Sequence, residues 1–170
     1  MALNQITYYS KMMEMEMGID VIIPENKWGH SLADRPKDYK YPVLWLLCGG
    51  GFDYTDWQRY TAIELYAAQA GIAVVMPSAY YSGYMDTAHG DYKYFSVITD
   101  EISRLAVRLF PLSEKRKDNF VAGFSMGGYG AFKWAMQHPE KFQCCGVFSG
   151  PVGIVPHEPV RYKEDEIGLR

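Results

Sequence analysis

Histidine and cysteine are scarce in this chain, four and three residues among 170. Three cysteines cannot supply the disulfide framework of a small secreted domain. Together the histidines and cysteines show no metal-ligand spacing, so no metal is expected. Charge of one sign is missing as well. Seventeen Lys and Arg against twenty Asp and Glu leave a net charge of −3, which gives no electrostatic case for a nucleic-acid or membrane partner. The densest basic cluster, Lys115-Arg116-Lys117, is flanked by Glu114 and Asp118 and reads as a solvated loop. No apolar run is long enough to span a bilayer, and the N-terminus lacks the charged-then-apolar layout of a signal peptide. A cytoplasmic location is therefore expected. Internal repeats and low-complexity linkers are absent, so residues 1–170 are expected to form one domain. Cys144 and Cys145 stand in an apolar run and are expected to be buried, inert thiols.

What is present is a globular balance, 48% hydrophobic and 22% charged, in a chain long enough to bury a real core. Apolar runs alternate with helical patterns. Residues 7–15 and 18–23 read as two strands, and the alternation through Lys11-Met12-Met13-Glu14-Met15-Glu16-Met17 suits an antiparallel edge hairpin. Residues 24–42 read as loop. Residues 43–47, 72–76, 120–123 and 144–148 are short strands, the first two of the kind buried on both faces. Helices are expected over 56–70, stopped by Gly71, over 94–110, stopped by Pro111, and over 127–137. This order predicts an α/β fold: a mostly parallel sheet with helices on both faces and an antiparallel N-terminal hairpin. In such sheets ligands sit outside the carboxyl ends of the strands. Three segments converge there: Gly49-Gly50-Gly51, a tyrosine-rich loop over 78–92, and Gly123-Phe124-Ser125-Met126-Gly127.

The last of these carries the chemistry. It is a G-x-S-x-G between a strand and a helix, the setting of a nucleophile elbow. The flanking glycines suit a turn too crowded for side chains. Ser125 thus reads as an acyl-enzyme nucleophile, and the plain alternative is a helix N-cap serine. A tetrahedral oxyanion needs two aimed N–H donors. Met126, at the start of the helix, is one candidate. Gly50 is the other, with Gly51 next and also a candidate substrate contact. Tyr80, Tyr81 and Tyr84 are candidates to line a substrate pocket, or are ordinary surface tyrosines. Trp45, Trp57 and Trp134 are expected in core or cap packing. A serine nucleophile also needs a histidine base, oriented by a carboxylate. His138 follows Ser125 by thirteen residues along one helix, which at ~1.5 Å per residue places it roughly 20 Å away and excludes it. His157, after the last strand, could approach the rim and is the candidate base. His89 is at best a pocket residue.

The chain resembles the esterase D group of α/β-hydrolases, especially tributyrin-esterase-like and S-formylglutathione-hydrolase-like enzymes. The likeness rests on Tyr41-Pro42-Val43-Leu44-Trp45-Leu46-Leu47-Cys48-Gly49, Ala73-Val74-Val75-Met76-Pro77, Tyr94-Phe95, Phe110-Pro111-Leu112-Ser113, Ala122-Gly123-Phe124-Ser125-Met126-Gly127-Gly128-Tyr129-Gly130-Ala131 and His138-Pro139-Glu140-Lys141-Phe142. It implies an α/β-hydrolase fold, hydrolysis of small carboxylic esters without a cofactor, a nucleophile at Ser125 and oxyanion donors at Gly50 and Met126. The resemblance departs in two places. Cys48 stands where members usually carry histidine. Members also run about half as long again, adding an excursion and two strands that bear the catalytic Asp and His. The expectation is a truncated hydrolase domain, impaired in turnover, with residues 150–170 opening that excursion and its last strands missing. Residues 144–148 would then form an open sheet edge inviting self-association or strand pairing. Acyl transfer to an alcohol or sugar, and a non-catalytic module completed by a partner chain, are the alternative functions.

Overall fold

A computed structural model describes residues 1–25, 31–88 and 92–151. β1 (Ala2–Ser10) and β2 (Met15–Ile23) form an antiparallel hairpin. β2 pairs antiparallel with β4 (Ala73–Pro77). β3 (Val43–Leu47) lies parallel to β4 and to β5 (Asn119–Phe124), and β5 is parallel to β6 (Cys144–Phe148). The sheet order is β1-β2-β4-β3-β5-β6, the mixed sheet expected of an α/β chain.

Alternate residues of β3 feed two separate cores. Val43, Trp45 and Leu47 pack with Ala106, Ala131 and Trp134, while Leu46 packs with Ala67, Val74 and Ala122. Successive strand side chains point to opposite faces, so helices cover both sides of the sheet. Trp45 and Trp134 meet edge to face at 5.5 Å, a contact worth about 0.5–1.5 kcal/mol beyond burial. Both are core residues, as expected.

Three local expectations need correction. The first strand is not 7–15: the chain turns at residues 11–14, with Glu14 at φ 52°. The turn is held from far away in sequence. Ser10 Oγ donates to Glu101 at 2.6 Å, and Lys11 N–H donates to the same carboxylate at 2.8 Å. The helix over 56–70 is two, α1 (Asp56–Tyr60) and α2 (Ile63–Ala70). Thr61 breaks it. Its backbone is extended, its hydroxyl bonds back to the Trp57 carbonyl, and it accepts the Ile63 N–H at 3.2 Å. Gly71 ends α2 in the left-handed conformation at φ 66°, as its position suggested. Cys144 and Cys145 are exposed rather than buried, because β6 is the outer strand of the described sheet and no described strand lies along its outer edge.

The remaining helical rod is α3 (Tyr94–Ser96), a π-helical stretch (Val97–Ile102) and α4 (Ser103–Leu109) in direct succession. α5 (Met126–Gln137) follows β5 after a single residue, Ser125. Among the described residues no helix is long and apolar enough to cross a membrane.

Candidate active site

β3 and β5 are neighbours in register, Leu47 opposite Gly123. Their carboxyl ends therefore deliver the glycine turn and the Ser125 turn to the same edge. Ser125 sits at φ 53°, ψ −123°, a conformation that costs a non-glycine residue about 1–3 kcal/mol and persists only where the surroundings enforce it. The surroundings are visible. Ser125 N–H donates to Phe148 O at 2.8 Å, and Tyr129 N–H donates to Ser125 O at 3.2 Å. A Cβ on Gly123 would lie 2.3 Å from Gly127 O, so the pentapeptide's first glycine is required by its last. Gly127 is required for another reason. Its Cβ would lie 2.4 Å from both Leu47 O and Cys48 O, which means α5 begins pressed against the end of β3.

Ser125 is exposed, and its side chain makes no capping hydrogen bond. An N-cap serine would use its oxygen on the first amides of the helix. Among the described residues this one makes no such bond. The N-terminal end of a twelve-residue helix also favours negative charge.

The donors can be sorted. Gly51 N–H already donates to Tyr80 O at 3.0 Å, so Gly51 is committed to holding the turn. Among the hydrogen bonds of the described residues, neither Gly50 N–H nor Met126 N–H appears as a donor. The two residues adjoin: a Cβ on Gly50 would lie 3.6 Å from Met126 Sδ and 3.5 Å from the Tyr81 ring. Cys48, in the histidine's place, is buried, and its Sγ lies 3.5 Å from Phe52 O and 3.6 Å from Pro77 O. Burial pushes its thiol pKa up, so it is a packing residue and weak donor rather than a nucleophile.

The three tyrosines part ways. Tyr80 and Tyr81 are exposed at the rim, Tyr81 at 86%. They help line a groove of about 430 Å³ with Ser82, Met85, Thr87, Tyr92 and Tyr94. Tyr84 is 1% exposed, with its ring against Gly130 and its hydroxyl donating to Cys48 O at 2.9 Å. Its candidacy as a pocket residue is corrected accordingly: the phenol is enclosed by α5 and the turn. On the other flank an apolar cavity of about 530 Å³ is lined by Phe52, Asp56, Trp57, Tyr60, Thr61 and Phe124. Trp57 packs there with its indole N–H donating to Leu47 O at 3.1 Å. The sequence reading passed over Phe52 and Phe124, although each adjoins a residue that it singled out.

Among the described residues the single histidine is His138, at the far end of α5 and paired with Glu140 at 3.3 Å. His157 and His89 lie outside the described residues.

Known proteins carry the same frame. Over 158 residues the chain is 30% identical to an acetyl esterase of Caldicellulosiruptor saccharolyticus, covering 93% of this chain and 59% of that protein. It superposes with a TM-score of 0.78 and 36% identity on FphF, a fluorophosphonate-binding serine hydrolase of Staphylococcus aureus, covering 88% of this chain and 57% of that one. An S-formylglutathione hydrolase (FrmB) of the same organism matches with a TM-score of 0.76 and 36% identity, over the same shares of the two chains. The chain thus spans less than two thirds of the length of these relatives. A family model described as a putative esterase matches residues 10–159, and the chain belongs to that family, whose fold here is that of the α/β-hydrolase serine hydrolases.

Proposed function

We propose that this chain carries the nucleophile and oxyanion site of a serine carboxylesterase acting on small esters. Ser125 Oγ attacks the ester carbonyl carbon, forming a C–O bond while the carbonyl π pair moves to oxygen. The oxyanion is held by the Gly50 and Met126 N–H groups at the α5 N-terminus. Collapse breaks the ester C–O bond, the leaving alkoxide takes up the proton shed by the Ser125 hydroxyl and departs as the alcohol, and water then hydrolyses the acyl-serine to the acid, returning a proton to Ser125. The observation that carries this reading is the strained, exposed, uncapped Ser125 on an elbow whose Gly127 is pressed against the end of β3. The relatives' names support small acyl groups, since formyl and acetyl are the smallest. The exposed Tyr80 and Tyr81, the latter with its ring beside Gly50, are the proposed contacts of the departing or acyl group. A single domain over 1–170 and a cytoplasmic setting belong to the same proposal, the latter supported by three free thiols.

The base is to be sought outside the described residues, where His157 is the candidate. The test is covalent labelling by a fluorophosphonate, read by intact mass, alongside hydrolysis of p-nitrophenyl acetate. One label per chain is expected, located on Ser125 and abolished in Ser125→Ala. A folded chain that takes no label and releases no p-nitrophenol overturns the proposal. Running His157→Ala in parallel reads its part: loss of the base costs on the order of 10³-fold or more.

A further inference from the structure

A run of three glycines is the most pliable backbone a protein can place at a site, yet an oxyanion donor must be held still. The turn at Gly49-Gly50-Gly51 is tied from outside. Beyond its own Phe52 N–H to Gly49 O contact, the Phe124 ring over Gly49 and the weak Cys48 thiol contacts, its backbone ties come from the tyrosine loop and from α5. Gly51 N–H donates to Tyr80 O. The Cys48 carbonyl, immediately before the turn, is clasped between the Tyr84 hydroxyl at 2.9 Å and the Cα of Gly127, where a side chain would not fit. Tyr84 is itself fixed. Lys133 Nζ on α5 donates to its carbonyl at 2.8 Å, and its ring lies where a Gly130 Cβ would meet it at 2.4 Å. It is held at φ 50°, and Tyr80 at φ 47°. Most positive-φ residues of the described chain cluster at this rim: Gly51, Tyr80, Gly83, Tyr84, Ser125 and Ser149, with Glu14 and Gly71 in ordinary turns elsewhere. Such clustering marks a backbone over-determined for a purpose. Burial also keeps the Tyr84 phenol protonated, by raising its pKa well above the ordinary value, so it stays a donor.

We propose that Tyr84 is a positioning residue: its hydroxyl holds the Cys48 carbonyl and thereby fixes the Gly50 N–H at the elbow. This rests on the esterase reading of Ser125, and it is separable from that reading by experiment. Tyr84→Phe deletes one oxygen and keeps the ring on Gly130. The intact 170-residue chain and this variant are compared in two ways. The first is hydrogen exchange at the Gly51 and Phe52 amides, the hydrogen-bonded N–H groups of the turn. The second is Ser125 labelling by a fluorophosphonate, resolved into reversible affinity and the rate constant of bond formation. Expected are faster exchange at Gly51 and Phe52, unchanged reversible affinity, and bond formation slowed about 10-fold or more. The unfolding temperature should fall by only a few degrees. A merely structural role would lower the unfolding temperature without slowing bond formation. Gly130→Ala, which pushes the ring aside while keeping the hydroxyl, should reproduce the slowing. Should Tyr84→Phe fail to fold, this variant decides. Unchanged exchange at Gly51 and Phe52 overturns the proposal, as does faster exchange with labelling at the full rate. Should the unaltered chain take no label, the esterase reading fails, and exchange alone decides whether Tyr84 holds the turn.

Discussion

Single residues in this molecule are often explained by what a neighbour forbids. Gly123 and Gly127 flank the same serine, but one is forced by the other and the second by the end of β3. Asp20 is the residue least reconciled with its surroundings. It lies mid-strand in β2, 0% exposed, and neither carboxylate oxygen has a hydrogen-bond partner. Desolvation, with a smaller push from Asp53, raises its pKa to about 6. Gln5, opposite on β1, offsets part of this without forming a bond of good geometry. The folded chain therefore holds a proton between about pH 4 and pH 6 that the unfolded chain, titrating near 3.8, has released. Stability falls as pH rises through that window, and the cost is complete above it. Asp20→Asn should add about 2–3 kcal/mol at pH 7–8 and little or nothing below pH 4. Urea unfolding across pH checks this, and parallel profiles for the two proteins would refute it.

Among elements, legibility followed locality. β3, β4 and β5 were readable because strands buried on both faces must be continuous apolar runs, and parallel pairing demands that burial. α5 was readable because a glycine elbow and His138-Pro139 bracket it. The hairpin was readable from its alternation, but the position of its turn was not. Its alternating residues 11–17 look like strand, and the turn is made by Glu101, ninety positions on, which accepts bonds from Ser10 and Lys11. Thr61 similarly interrupts an otherwise periodic helix through its own hydroxyl. A tertiary cap leaves no mark in the segment that it shapes. Glu101→Ala should thus act on the hairpin rather than on its own helix. Three bonds to the carboxylate, from Ser10 Oγ, Lys11 N–H and, at 3.4 Å, Met12 N–H, are removed from a partly exposed site, so a loss of about 1–3 kcal/mol is expected, with faster amide exchange at Lys11 and Met12. If exchange rises along 97–109 instead, the carboxylate serves its own helix and the account of the turn is wrong.

At the scale of the whole molecule, the strained turn at Ser125 was legible because a motif and its strand-turn-helix context coincide. The support around it was not, because it depends on backbone φ values and on a ring fitting over Gly130, which neither composition nor spacing encodes. The same scale governs association. β6 is the outer strand of the described sheet, and its five residues, Cys144-Cys145-Gly146-Val147-Phe148, carry no charge or proline. Edge strands are normally guarded by such residues, and Phe148 is 56% exposed. Unpaired strand groups beside an apolar face favour pairing with a second strand. The chain should therefore associate as its concentration rises, and should do so in reductant. Cys144→Lys puts a charge at the end of β6 remote from Ser125 and should suppress association. Cys144→Ser, which removes only the thiol, should leave it intact. Sedimentation velocity distinguishes the cases. A chain monomeric at every concentration shows the edge to be covered, and association abolished equally by the serine variant assigns it to disulfide exchange instead of strand pairing.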